Sequence, residues 1–149
     1  LKGSYTLVLF LSINRSLSIG SLGRFSFPPG CYLYFGSALN SLESRLKRHL
    51  RPDKKPHWHI DYLSPAGQIV QVWWTQSETR QECAWSQSAL KHPDALPPVC
   101  GFGSADCRHC RSHLVYLPSL ELAGQVLESL QLESASEIAH RNSGDLAFP

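Results

Sequence analysis

Two apolar runs near the N-terminus, residues 4 to 13 and 31 to 36, restrict the architecture of this chain more than any other feature. Both are rich in Tyr, Leu, Val, Phe and Ile without the three- and four-residue spacing of a helix, so both are predicted as strands, side by side in one sheet. Between them, Ser16 to Phe27 alternates around Gly20 and Gly23 and leads into Pro28-Pro29-Gly30, which predicts a hairpin and a turn. Leu39, Leu42, Leu46 and Leu50 then recur at helical spacing, and Pro52 and Pro56 end that amphipathic helix. Residues 68 to 75 are predicted as a strand, Thr79 to Leu90 as a helix, the prolines at 93, 97 and 98 as a loop, and His113 to Leu117 as a closing strand. Ser119 is placed to cap a last helix with a stripe of Leu120, Ala123, Leu127 and Leu130, and the tail from His140 reads as poorly ordered. The expected fold class is α/β in the broad sense (α+β): a small, largely antiparallel central sheet flanked by helices, over residues 1–117. Residues 118–149 would add a C-terminal helical appendage and a flexible tail.

At 149 residues the chain has room for one domain with a real core, and a hydrophobic content of 42% with 17% charged residues excludes wholesale disorder and gives no sign of a membrane protein. The net charge of +2 conceals an asymmetry, because residues 1–60 carry nine Lys/Arg against two Asp/Glu and residues 61–149 carry five against ten. Arg45, Lys47, Arg48, Arg51, Lys54 and Lys55 fall within eleven positions. Such a patch either attracts a polyanion, with salt-sensitive binding, or is a solvated helix face. Five cysteines, an odd number, argue against an exported disulfide scaffold and for a reducing, cytoplasmic location. The run from Tyr5 to Leu11 imitates a signal-peptide core, yet no small-residue cleavage pattern follows it, and it reads as a buried strand.

Three further groups carry candidate chemistry. In His57-Trp58-His59-Ile60-Asp61, alternate residues of an extended chain face one way, which would gather His57, His59 and Asp61 into a group able to bind a transition metal or move protons. A helical conformation would scatter them. Cys107 and Cys110 have the two-residue gap of zinc sites, with His113 or Cys100 as further ligands; the alternative is a set of reduced, packed thiols, since no distant second pair is evident. Glu82 begins Glu82-Cys83-Ala84-Trp85 and also completes Thr79-Arg80-Gln81-Glu82, which fits a capping box.

Gly3-Ser4-Tyr5 and Tyr34-Phe35-Gly36-Ser37-Ala38-Leu39 are followed by Leu42-Glu43-Ser44-Arg45-Leu46-Lys47-Arg48-His49, with Arg45 nine residues after Gly36. Together these resemble the signature of the GIY-YIG nuclease superfamily, with Ser4 and Phe35 where isoleucines usually stand and a longer insert between the two tyrosine segments. With His57 to Leu63, Glu82-Cys83, Gly101 to Cys107 and Ser112-His113-Leu114, the chain is similar to an uncharacterised branch of that superfamily. Its members are small prokaryotic proteins, also found fused to endonuclease III-like DNA glycosylases.

The resemblance implies a GIY-YIG-like fold and a divalent-metal-dependent DNA endonuclease acting on duplex, damaged or branched DNA in repair. It implies a DNA-repair glycosylase as a partner and no membrane. By analogy Tyr5 would activate a water, Tyr34 would support its hydrogen bonds and Arg45 would bind the scissile phosphate, with His49 and His59 joining the catalytic group. Lys47, Arg48, Arg51, Lys54 and Lys55 would contact nucleic acid, and Glu82 and Asp61 would hold Mg²⁺ or Mn²⁺. A tyrosine with its ordinary pKa near 10 is a weak base at neutral pH, so Arg45, Arg48 and His49 are expected to lower it. The side chains of Ser4 and Phe35 are expected to point away from the tyrosines and to affect packing more than chemistry. Two readings stay open beside this one: a nucleic-acid-binding module that does not cleave, and a metal-binding hydrolase built on His57, His59 and Asp61. A Zn²⁺ site at Cys107, Cys110 and His113 is compatible with any of them.

Overall fold

A computed structural model describes residues 1–104, 107, 109–130 and 133–137, the last segment by its backbone alone. Strand β1 (Gly3–Leu11) pairs antiparallel with β4 (Gly30–Ala38) on one side and with β5 (Gln68–Gln76) on the other. β6 (Leu114–Leu117) extends the sheet beyond β4 and β7 (Glu133–Glu137) extends it beyond β5, giving the antiparallel order β6-β4-β1-β5-β7. The insert folds as a separate hairpin of β2 (Arg15–Ile19) and β3 (Gly23–Phe27), closed by a short 3-10 turn over Gly20–Leu22. This hairpin leaves β1 and β4 in continuous register, from Gly3 opposite Ala38 to Leu11 opposite Gly30.

Both faces of β1 are covered, which is why its sequence shows no polar alternation. Tyr5, Leu7, Leu9 and Leu11 pack on one face with Tyr32, Tyr34, Phe102 and the apolar side of α1 (Leu42–Leu50), where Leu42 and Leu46 are buried. Val8 packs on the other with Leu33, Phe35 and Val115, beneath α3 (Glu82–Ala89) and α4 (Leu120–Ser129). From these helices come Trp85 and Ala89, and Ala123, Val126 and Leu127. The result is an α+β fold with helices on both faces of an antiparallel sheet.

Several boundaries differ from the sequence reading for local reasons. The first helix begins at Leu42 rather than Leu39, because β4 runs to Ala38 and the Ser41 side chain caps the helix by accepting the N–H of Ser44. Of the extended and helical alternatives for residues 57–61, the second applies at its end: His59 has helical backbone angles and leads into the one-turn helix α2 (Ile60–Leu63). Ser119 does cap α4, accepting the N–H of Leu122, but Leu120 is 45% exposed and Val126 joins Ala123 and Leu127 on the buried side. β7 lies in a segment that the sequence reading assigned no strand. The tail expected from His140 onward lies outside the described residues. Among the described residues, no helix is long and apolar enough to cross a membrane.

Candidate functional site

Pairing of β1 with β4 sets Tyr5 opposite Gly36 and Leu7 opposite Tyr34. A Cβ on Gly36 would lie 2.5 Å from the phenol of Tyr5, so glycine is what lets that ring cross the neighbouring strand. The Tyr5 hydroxyl reaches the Nε2 of His49, buried on α1, at 2.7 Å, and Tyr34 meets the same imidazole edge-on at 6.1 Å between ring centres. One turn earlier on α1, Arg45 donates from Nη1 to the carbonyl of Ser37 at 3.1 Å, and its guanidinium stacks 4.4 Å from the centre of the Trp58 ring. Arg48 approaches the same ring at 4.5 Å.

Glu82 enters from the far face of the sheet. No side chain caps α3, and the capping box expected between Thr79 and Glu82 does not form. Instead Glu82 Oε2 accepts a short hydrogen bond from Ser37 Oγ, which lies 2.6 Å from Ser4 Oγ; Ser4 Oγ in turn accepts the N–H of Gln81 at 3.0 Å. Ser4 therefore does more than fill space. It links β1 to the start of α3, whereas Phe35 packs edge-on against Trp85 as an apolar side chain. Tyr5, Tyr34, Arg45, Trp58, Arg80 and Glu82 line one cleft of about 430 Å³, and Cys83, Cys107 and His113 form another part of its wall.

Burial dominates the electrostatics of the tyrosine pair. It pushes the Tyr5 phenol up to about 12 against the opposing charge of Arg45, and it raises Tyr34 as well, with Tyr5 adding to the effect. Burial also pushes His49 down to about 3, with Asp61 opposing. The expectation that cations lower the Tyr5 pKa therefore fails: His49 is neutral, Arg48 is engaged by Asp61, and Arg45 alone does not offset desolvation. A stability consequence follows from the sign of the His49 shift. The unfolded chain takes up a proton near pH 6.5 that the folded chain refuses until about pH 3, so His49 favours folding above pH 6.5 and loses that contribution as pH falls toward 3. Burial lowers His59 and His113 in the same direction. Urea titrations at pH 7 and pH 4.5 should show lower stability at the acid value, with a smaller difference in His49→Gln.

The other candidates go elsewhere. His59 accepts the N–H of Gly103 through Nδ1 at 2.8 Å and so holds the 100–113 loop. Asp61 accepts from Nη1 and Nη2 of Arg48, at 3.2 and 3.0 Å, and from the backbone N–H groups of His57 and Trp58, at 2.8 and 3.0 Å. With α2 turning helical at Ile60, the alternation that would have gathered His57, His59 and Asp61 is lost, and His57 is exposed. Lys54 donates to the carbonyls of His49 and Arg51, at 2.7 and 2.9 Å, closing the C-terminal end of α1. Lys47, Arg51 and Lys55 are exposed.

Beside the cleft, Cys83, Cys107, Cys110 and His113 bring their ligand atoms within 4.8 Å of one another. Cys83 Sγ lies 3.5 Å from Cys107 Sγ and 3.5 Å from His113 Nε2. Sequence spacing pointed to the last three of these residues but not to Cys83, which arrives from α3; Cys100, the other candidate, is exposed and outside the cluster. The adjacency of Cys83 to Glu82 was the available signal, and no local pattern ties Cys83 to a loop more than twenty residues away. Three thiols and an imidazole can hold a metal ion, and this soft donor set suits zinc better than magnesium.

A family described as Domain of unknown function DUF123 matches residues 4–136. The chain belongs to DUF123. The DUF123 match runs from β1 into β7 and takes in the tyrosine cleft and the cysteine and histidine cluster alike. No curated protein and no solved structure matches the chain.

Proposed function

We propose that the tyrosine cleft is the active site of a divalent-metal-dependent DNA endonuclease of the GIY-YIG type. The observation that carries this reading is that Tyr5, Tyr34, Arg45 and Glu82 line a single cleft. Arg45 spends one donor on Ser37 and rests on Trp58, leaving the rest of its fork for the non-bridging oxygens of a phosphodiester. Tyr5 and His49 form a proton path. As a water loses its proton to the phenol oxygen, the phenol passes its own to Nε2, leaving a hydroxide to attack phosphorus and an imidazolium in place of the imidazole. A bound phosphodiester brings a negative charge to the pair and raises the His49 pKa toward the value this step needs.

Glu82 is the residue that would hold Mg²⁺ or Mn²⁺. Its carboxylate borders the cleft with Ser37 Oγ as its close partner and Arg80 4.0 Å away, and Ser104 Oγ, buried with no partner among the described residues, borders the same space. One carboxylate with waters and substrate oxygens is an ordinary magnesium environment. The ion when bound would stabilise negative charge on the leaving oxygen.

Exposed Lys47, Arg51 and Lys55 would meet the DNA backbone. Lys47→Ala and Arg51→Ala should each weaken binding evenly across sequences and reduce the slope of log K against log salt by about 1. A setting in repair, with a DNA glycosylase as partner, belongs to the same proposal and would appear as a preference for abasic or branched substrates. The test is cleavage of labelled duplex, nicked, flapped and abasic DNAs with Mg²⁺ or Mn²⁺ by the wild type and by Glu82→Gln. Metal-dependent cutting that Glu82→Gln removes is expected. Salt-sensitive binding without cutting of any substrate would replace the endonuclease by a non-cleaving nucleic-acid-binding module.

A further inference from the structure

We infer that Cys83, Cys107, Cys110 and His113 hold a structural zinc ion that clamps the 100–113 loop to the first turn of α3 and so fixes one wall of the tyrosine cleft. The spacing of the ligand atoms is close to that of a zinc site. Zinc bonded to thiolate sulfur at about 2.3 Å and to imidazole nitrogen at about 2.0 Å places sulfurs ~3.8 Å apart and a sulfur and nitrogen ~3.5 Å apart. Cys83 Sγ is 3.5 Å from both Cys107 Sγ and His113 Nε2, and all four ligand atoms fall within 4.8 Å of each other. The cysteines form no disulfide.

Three of the four ligands are also held through their backbone. Cys83 is on α3. Cys107 donates its N–H to the Ser104 carbonyl at 2.9 Å, and His113 is bracketed by Phe102, whose carbonyl takes its N–H at 2.8 Å, and by Phe35, which donates to its carbonyl at 2.9 Å. An outer partner of a thiolate is present too. Gln87 Nε2 lies 3.5 Å from Cys110 Sγ, a donor aimed at the sulfur that would carry negative charge when bound to metal, while the Ser86 hydroxyl, 3.9 Å from the same sulfur, donates to the Cys83 carbonyl at 3.1 Å. Four protein ligands leave no open position, which assigns the ion a structural and not a catalytic part.

The location gives the ion its consequence. Cys83 follows Glu82 directly, so fixing Cys83 fixes the turn that presents the cleft's carboxylate. The same loop carries Gly103, whose φ of +69° and contact with Tyr34 leave 2.9 Å between an added Cβ and that ring. One ion thus braces the Glu82 side and the Tyr34 side together. This inference stands whether or not the cleft cleaves DNA, because its readout is metal content.

The experiment is elemental analysis of the purified full chain after dialysis against Mg²⁺ buffer, paired with Co²⁺ exchange. About one zinc per chain is expected, coupled to folding, so that chelation lowers the melting temperature and Mg²⁺ does not restore it. Cys83→Ser and Cys110→Ser should lose the zinc, whereas Cys100→Ser and Cys31→Ser keep it. Should the ligand variants fail to fold, the Co²⁺ form of the wild type decides: intense visible bands with thiolate charge transfer support the site, and a weak octahedral spectrum overturns it. A metal-free wild type, zinc retained by Cys83→Ser, or a disulfide between Cys83 and Cys107 in place of metal would each overturn it as well.

Discussion

Replacing Arg45 with alanine is expected to lower DNA cleavage roughly 10²- to 10³-fold, the usual loss when a preorganised donor to developing charge is removed. The guanidinium is already oriented before substrate arrives, by the Ser37 carbonyl at 3.1 Å and the face of Trp58 at 4.4 Å, so little ordering remains to oppose binding. Arg45→Lys should recover little, because an ammonium can neither grip two phosphate oxygens as a fork nor lie flat on the indole. Tyr5→Phe should act at the same step and also strip the partner from buried His49 Nε2, at a cost of about 1–3 kcal/mol of stability. Single-turnover cleavage together with thermal unfolding separates the two effects. An Arg45→Ala protein that cut DNA at the wild-type rate would remove this cleft from consideration as the active site.

The largest loss of stability is expected from Asp61→Ala, at about 3 kcal/mol. The Asp61 side chain is 1% exposed, and its oxygens accept from Arg48 and from two backbone N–H groups; deletion therefore leaves a half-buried guanidinium and two amides without their partner. Burial by itself would raise the Asp61 pKa, but the Arg48 hydrogen bond and the N–H groups of Trp58 and His57 outweigh it and hold the carboxyl below its ordinary value. Its contribution is thus full above the unfolded value of about 3.9 and disappears as pH falls through the lower folded value. Urea unfolding of the wild type and of Asp61→Asn at pH 7 and near pH 3 checks this: the gap between them should narrow at the acid value. That window lies below most of the His49 window, so the two groups can be told apart in one titration series.

How far the sequence could be read depended on the range of the interaction involved. The two apolar runs, the leucine spacing of α1 and Ser119 at the start of α4 are local patterns, set by neighbours a few residues apart, and the corresponding elements lie close to where those patterns put them. Glu82 shows where this stops. Its local context offered a capping box, yet Ser37, forty-five residues away, takes the carboxylate. For Cys83 the adjacency to Glu82 was the one local signal, and it did not point to Cys107 and His113, which meet Cys83 only in the folded chain.

The sequence by itself determined the central strands, the hairpin that lets the first two lie side by side, and the helix that carries Arg45 and His49, because periodicity and turn chemistry act within a turn or a strand. Only the tertiary structure decided which polar groups meet and in what charge state. Strand pairing lays Tyr5 across Gly36, desolvation leaves Tyr5 and His49 both neutral, and the turn into α2 gives Asp61 to Arg48 and to backbone N–H groups instead of to the imidazoles of His57 and His59. Burial and long-range contact belong to the folded chain as a whole, and no short segment of it carries them.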